Sequence, residues 1–298
     1  MRIGVTGGTG FVGRRLIAFA SEAGHSVQAL ARRPQPAMGG VTWVAGALDD
    51  SDALERLVVG ADAIVHVAGV VNAPDRAGFV AGNIDGTRAI VAAAEQAGVQ
   101  RFVHVSSLAA REPGLSTYGW SKAEGEALVG QSTLDWTIVR PTGVYGPGDT
   151  ELRDMFRMAK YGLALLPPPG RVSLVAVDDL ARLLLTLTAT AAAHVLYEVD
   201  DGHSYTHDEL ARMIGAAVGQ RVLPLPLPSA LLSLGARIDG MVRGKDAKLT
   251  ADRVGYLCHP DWTADPPKRP PPALWTPSTP TAAGLAATAA WYRANGLL

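Results

Sequence analysis

Tyr118 and Lys122 stand four residues apart, and Ser107 lies eleven residues before Tyr118. On a helix, positions i and i+4 share a face, so the phenol and the ammonium point the same way. That pairing has a chemical use. A free tyrosine titrates near ~10 and is a poor acid–base group at neutral pH. A nearby ammonium favours the phenolate and brings its pKa toward the working range. Ser107 closes the run Val105-Ser106-Ser107, where its hydroxyl can hydrogen-bond a substrate oxygen. A surface helix carrying the same two residue types is the alternative reading of the Tyr-Lys pair.

A second chemical signal lies at the amino end. Thr6 to Gly13 reads TGGTGFVG, with Gly7, Gly10 and Gly13 three apart. Gly7 permits a tight turn, Gly10 leaves room for a pyrophosphate, and Gly13 lets a helix pack closely on a strand. The helix start then offers unpaired N–H groups and a partial positive charge to phosphate. A tight strand–helix turn without a ligand is the alternative. At the end of the second strand an NAD site wants an acidic residue, but Ala31 is followed there by Arg32 and Arg33. Two guanidinium groups suit a 2′-phosphate, so NADP(H) is favoured, with NAD(H) as the alternative cofactor. The competing reading makes both arginines solvated loop charges.

The elements needed to hold these groups alternate along the chain. Strands are expected at 3–6, 26–31, 41–45, 63–67, 102–105 and 136–139. Helices are expected at 13–23, 52–59, 83–96 and 118–129. The strand runs are continuous and apolar, as parallel strands covered on both faces require. The order implies an α/β fold, a doubly wound parallel Rossmann sheet, with a smaller, mostly helical C-terminal lobe. The dinucleotide-binding domain is expected over 1–145 plus about 172–200, and the substrate lobe over about 146–171 plus 201–298. Within this scheme 172–177 and 195–199 are strands, with a helix between them from Asp178-Asp179 to Leu187. Beyond Gly202, proline-separated pieces read as loops and short apolar helices, such as 223–234.

Composition narrows the function. The 298 residues carry a formal net charge of −1, which gives no electrostatic reason to expect nucleic acid or an anionic membrane. The lone Cys258 excludes an intramolecular disulfide framework and a cysteine metal cluster. His203, His207 and His259 show no ligand spacing, so no metal is expected. His66 reads as a buried, satisfied histidine. Asp178 and Asp179 read as helix caps, or as residues that hold the substrate lobe. Tyr145 is divided between a cleft-lining and a packing role, and Trp291 and Tyr292 anchor the last helix. The stretch 183–197 reads as a buried helix, and neither a membrane span nor a signal peptide is expected; the expected location is cytoplasmic.

Together TGGTGFVG, HVAG at 66–69, Asn83, the Ser-Ser strand end and Tyr118-x-x-x-Lys122 resemble the short-chain dehydrogenase/reductase superfamily. RPTGVYGPGD at 140–149, Val177-Asp178-Asp179 and the terminal WYRANGLL resemble its extended branch, the NAD-dependent epimerase/dehydratase-like proteins. The resemblance is strong over roughly 1–200 and thin over 203–248, with a subgroup near 3β-hydroxysteroid dehydrogenases and dihydroflavonol reductases. It implies that Gly7, Gly10, Phe11, Val12 and Gly13 line the pyrophosphate, and that Arg32 and Arg33 face the ribose phosphate. It puts Ala68 beside the cofactor and Pro141 and Val144 near the nicotinamide. Where relatives carry an aspartate toward adenine this chain has Ala47-Leu48, so Leu48 takes that place. Tyr118 becomes the acid–base, Lys122 binds the nicotinamide ribose, Ser107 orients the substrate, and Asn83 helps organise the proton relay. The short Ser107–Tyr118 gap departs from the extended pattern and leaves the cleft more open or covered by the C-terminal lobe.

Three functions compete. The first is an NADP(H)-dependent oxidoreductase moving hydride between nicotinamide and a carbonyl or alcohol. The second is an NAD-dependent nucleotide-sugar epimerase or dehydratase; the third is a non-catalytic dinucleotide-binding sensor or assembly protein. The partner is a small-molecule substrate in the first two, and a homodimer is compatible with the apolar tail.

Overall fold

A computed structural model describes residues 1–190, 194–244 and 249–298. The chain divides into two compact units. The first comprises Met1–Pro141, Leu180–Glu198 and Pro270–Trp275; the second comprises Thr142–Asp179, Val199–Arg269 and Thr276–Leu298.

The first unit alternates as its sequence pattern requires. It runs β1 (Arg2–Thr6), α1 (Phe11–Glu22), β2 (Ser26–Ala31), β3 (Val41–Ala45), α2 (Ser51–Val58) and β4 (Ala63–His66). A short helix α3 (Arg76–Phe79) leads through a π-helical turn at Val80–Asp85 into α4 (Gly86–Gln96). Then come β5 (Arg101–Val105), a 3₁₀ turn at Leu108–Arg111, α5 (Thr117–Gly130) and β6 (Asp135–Pro141). The strand order 3-2-1-4-5-6 is parallel throughout and continues past β6 to a late strand, Val195–Val199. Leu54, Leu57, Ile64, Ile90, Phe102, Val129 and Ile138 form a core on one side of this sheet. The helix expected over 83–96 begins as the π turn, which carries Asn83.

The second unit departs more from expectation. It holds β7 (Gly143–Tyr145), α6 (Arg153–Lys160), β8 (Leu163–Leu166), β9 (Arg171–Val172) and β10 (Leu174–Ala176), then the start of α7 (Val177–Thr188). The strand expected at 172–177 is therefore two short strands, and Val177 opens the helix. The segment 172–179 clusters with the second unit because β10 pairs with β7 in a separate two-stranded sheet. The stretch 183–197, expected as one helix, ends its helix at Thr188 and enters β11 (Val195–Val199); residues 191–193 lie outside the described residues. After β12 (Tyr205–Thr206), α8 (His207–Val218) is held by a full capping box between Thr206 and Glu209 and by Gly219 in the left-handed region.

Leu223–Pro226 is not helical. It forms β13, paired in parallel with β8, and the helix α9 starts only at Ser229 and runs to Arg243. Two prolines fit this strand because they alternate with the residues that donate: Leu223 N–H bonds Gly162 and Leu227 N–H bonds Leu166. The chain closes through α10 (Ala251–Leu257), β14 (Asp261–Trp262) and α11 (Thr281–Ala294). Tyr145, Phe156, Leu174, Leu285 and Tyr292 make the second unit's core. Tyr145 is fully buried there and packs against Gly284, which assigns it a packing role. Tyr292 meets Phe156 edge-on and donates to Asp149 at 3.0 Å, so it anchors α11. Asp179 accepts from the Ser278 hydroxyl and from the N–H groups of Ser278 and Thr279, so it holds a distant segment. Among the described residues no helix is long and apolar enough to cross a membrane.

One glycine tests the packing directly. A Cβ on Gly13 would stand 2.1 Å from the Gly7 carbonyl oxygen, which is backbone and cannot turn away. Gly13→Ala is expected to lower stability by about 1–3 kcal/mol, read as a reduced urea midpoint at unchanged slope.

Candidate functional site

The phosphate turn is set by contacts that only glycine allows. Gly7 has φ +71°, and a Cβ there would lie 2.6 Å from the Ala68 amide nitrogen. The turn thus presses against the exit of β4. Gly10 caps α1 without a side chain and donates its N–H to Gly7 at 3.0 Å. A Cβ at Gly10 would meet nothing but the Gly7 oxygen within 4 Å, so that side of the turn is open. The first turn of α1 carries no acidic residue, which leaves its positive end available to an anion. Phe11 and Val12 are half-buried at this helix start, and Gly13 is buried behind them.

Beside the turn lies a cavity of about 460 Å³ lined by Thr9, Arg14, Arg32, Arg33 and Gln35. The structure thus gathers the two arginines of the β2 exit with a third that the sequence reading passed over. Arg14 Nε donates to the Thr9 carbonyl at 2.8 Å, which fixes its guanidinium next to the turn. Its only sequence signal was its place directly after Gly13. Among the described residues no carboxylate lines this cavity. Leu48 is half-buried and packs toward Gly86 of α4.

The reactive residues sit at the ends of β4 and β5 and on α5. Ser107 caps the 3₁₀ turn, its Oγ accepting from Ala109 N–H at 3.2 Å. That turn packs tightly on the start of α5: a Cβ on Gly119 would lie 2.6 Å from the Ala109 oxygen. Ser107 and Tyr118 therefore flank one close contact. Tyr118 is half-buried, with its ring 6.4 Å from that of Phe79. Lys122 is buried and donates from Nζ to the Val105 carbonyl at 2.9 Å. Burial pulls its pKa down to about 8 against the opposing pull of Glu126, so the ammonium persists at neutral pH. Asn83 is buried in the π turn, a distortion common at functional sites. Its side chain accepts from Val70 N–H at 2.6 Å and donates to Val70 O and Ser121 Oγ at 2.9 Å each. Gly69 lies between Asn83 and Lys122; a Cβ on it would be 3.2 Å from Asn83 Oδ1 and 3.5 Å from Lys122 Nζ. Pro141 is buried at the end of β6, and Val144 is half-buried on β7 in the second unit.

A directed chain of hydrogen bonds links the turn to Asn83. Thr87 Oγ1 donates to the Asn83 carbonyl at 2.7 Å, so it must accept from His66 Nε2 at 3.1 Å. His66 Nδ1 then accepts from Thr6 Oγ1 at 2.6 Å, and Thr6 accepts from Ala68 N–H at 3.3 Å. His66 is thereby fixed as the neutral Nε2–H tautomer. Full burial, with the Lys122 charge as a smaller cause, lowers its pKa to about 3. His104 stacks on it at 5.3 Å, is equally buried, and has neither ring nitrogen hydrogen-bonded.

A family model described as NAD(P)H-binding matches residues 7–187, spanning the turn, β4, β5 and the Tyr-Lys helix. The chain belongs to the short-chain dehydrogenase/reductase superfamily. The chain is 36% identical to a ceramide reductase of Caulobacter vibrioides, over 99% of this chain and 96% of that one. It is 27% identical to a UDP-glucose 4-epimerase of Vibrio cholerae, over 79% and 81%. Its fold is that of the Bordetella bronchiseptica enzyme WbmH, solved in complex with NAD+, with a TM-score of 0.78, 21% identity and 99% of each chain covered. The protein is an NAD(P)-dependent enzyme of this superfamily.

The two neutral histidines of this dehydrogenase/reductase chain carry a pH signature. In the unfolded chain they take up protons below about pH 6.5, while the folded protein resists. Both folded pKa values are lowered, so stability is full above that pH and falls as pH falls. His104→Phe removes one such group without breaking a hydrogen bond. Its stability relative to the parent is expected to rise by about 1.4 kcal/mol per pH unit below about pH 6.5, measured by urea unfolding across that range.

Proposed function

We propose that this protein is an NADP(H)-dependent oxidoreductase acting on an apolar carbonyl or alcohol. The arginine-lined cavity beside the glycine turn carries the cofactor reading. Arg14, Arg32 and Arg33 meet there without a carboxylate, a donor set suited to a 2′-phosphate and unsuited to the ribose hydroxyls that an acidic residue would accept from. The open face at Gly10 and the helix N-terminus would hold the pyrophosphate, and Ala68 and Pro141 would line the nicotinamide end.

The cofactor supplies or accepts the hydride. The chain's own residues handle the proton. Ser107 hydrogen-bonds the substrate oxygen. Tyr118 donates its phenolic proton to that oxygen in reduction and takes it back in oxidation. Lys122, held on the Val105 carbonyl, binds the ribose and favours the phenolate by its charge. Asn83 ties the β4 exit to α5 through Val70 and Ser121, which keeps this arrangement together.

The substrate class is supported by two observations. The relative matched end to end is named a ceramide reductase. In the second unit, α9 exposes Leu231, Leu234, Ile238, Met241 and Val242, a single stripe by helical spacing. Such a stripe suits an alkyl chain better than a nucleotide sugar.

Thermal shifts separate the cofactors: NADPH is expected to raise Tm more than NADH at equal concentration. Arg14→Ala is expected to erase most of that difference, as is Arg32→Ala. Equal shifts in the parent protein would overturn the phosphate assignment. Tyr118→Phe is expected to abolish turnover of a long-chain ketone at nearly unchanged cofactor affinity, followed by NADPH absorbance and titration. Turnover surviving in that variant would remove Tyr118 from the relay, and activity on a nucleotide sugar alone would favour the epimerase reading.

A further inference from the structure

Glu126 follows Lys122 by four residues, so Tyr118, Lys122 and Glu126 climb one face of α5. Its carboxylate is buried and fully engaged. It accepts from Ser106 Oγ at 2.5 Å, from Arg140 Nε at 2.8 Å and from a second Arg140 nitrogen at 2.6 Å. Arg140, on β6, also lies 3.5 Å from Glu198 of β11, a carboxylate with no exposed surface. Glu198 is 3.6 Å from Arg111 of the 3₁₀ turn. Four charges from four elements thus meet beneath the helix that bears the candidate acid–base.

The placement matters because of what adjoins it. Lys122 bonds Val105 and Glu126 bonds Ser106, so two successive residues of the β5 exit are tied to two successive turns of α5. Ser107 is the next residue. Arg111, at the far end of the same turn, is held through Glu198. The segment presenting Ser107 is therefore fixed to the helix presenting Tyr118 at both of its ends. An Arg–carboxylate fork defines orientation as well as distance, which a single hydrogen bond or a lysine does not.

We propose that Glu126 and Arg140 form a positioning clamp that sets Tyr118 and Lys122 of α5 in register with Ser107. Neither residue touches the substrate. Glu126 is also the one carboxylate acting on Lys122 from its own helix. His66 from β4 and His104 from β5 also act on Lys122, both held neutral by burial, and Tyr118 shares its face of α5 by spacing.

The activity arm of the test rests on the oxidoreductase reading; the spectroscopic arm does not. The chain has five lysines, so ¹³Cε-lysine NMR resolves them, and Lys122→Arg identifies the signal of interest. In a Tyr118→Phe background the Lys122 signal is expected to titrate near 8, and Glu126→Gln is expected to move that midpoint down by about one pH unit. An unmoved midpoint in a folded variant would overturn the clamp's role at Lys122. With NADPH and a ketone, Glu126→Gln and Arg140→Lys are each expected to lower kcat about 10–100-fold, with cofactor Kd changed less than about twofold. Unchanged kcat in both variants would overturn the positioning role. Should Glu126→Gln fail to fold, Glu126→Gln with Arg140→Met removes both charges together and is read in the same two ways. A parent enzyme silent on every ketone would count against the oxidoreductase reading, and the NMR midpoint would still decide the clamp.

Discussion

Parallel pairing makes β1, β4 and β5 end on one side of the sheet, and the candidate site follows from that single constraint. The register places Thr6 beside His66 and His66 beside His104. Three strand ends thus deliver hydroxyl, imidazole and backbone carbonyl groups to adjacent points. The chain must leave each strand at this edge, so its turns lie here too. The glycine turn crosses close to Ala68 because a side chain at Gly7 would collide with that backbone. The glycine turn, Ala68 and Ser107 follow these three exits directly, while Arg32 and Arg33 follow the neighbouring exit of β2.

Burying charge at such an edge is costly, and this protein does it repeatedly. Lys122, Glu126, Arg140 and Glu198 are each largely removed from water. Removing one partner from such a group costs about 3–5 kcal/mol, whereas an apolar replacement of the whole set is often neutral. Stability alone is therefore weak grounds for keeping the network. The neutral members show the same economy of protonation: His66 gives and accepts one hydrogen bond each, in a sequence that permits a single direction. Lys122 keeps its proton at neutral pH although burial opposes it, because Glu126 lies one turn away and the Val105 carbonyl accepts from it.

The sheet and the turn were legible because their signals are local. Six continuous apolar runs, with three glycines between the first strand and its helix, specify a doubly wound order without any knowledge of distant contacts. Arg32 and Arg33 were visible because a strand ends just before them. Arg14 was not, since nothing in a helix's first turn marks one arginine as facing a cavity and another as solvated. Glu126 and Arg140 are fourteen residues apart and look like ordinary charges until β6 lies beside α5. Asp179 shows the same limit: an acid at a helix start reads as a cap, and its partners Ser278 and Thr279 are about a hundred residues away. The second unit was least legible because its strands are two to four residues long, too short for a period to emerge.

The alternating prolines of β13 have an effect on its outer edge. Leu223 and Leu225 take the β8 side of the ladder, so the opposite side falls to Pro224 and Pro226, which have no N–H to offer. That edge can accept hydrogen bonds and cannot donate them from these positions. Leu163, Leu165, Leu223 and Leu225 are all substantially exposed around this small sheet. An apolar ribbon with a donor-bearing edge would template the addition of strands from other molecules. At the β13 edge the missing donors close the ladder to a further strand, so Leu223 and Leu225 lie exposed beside an edge that cannot donate from Pro224 or Pro226.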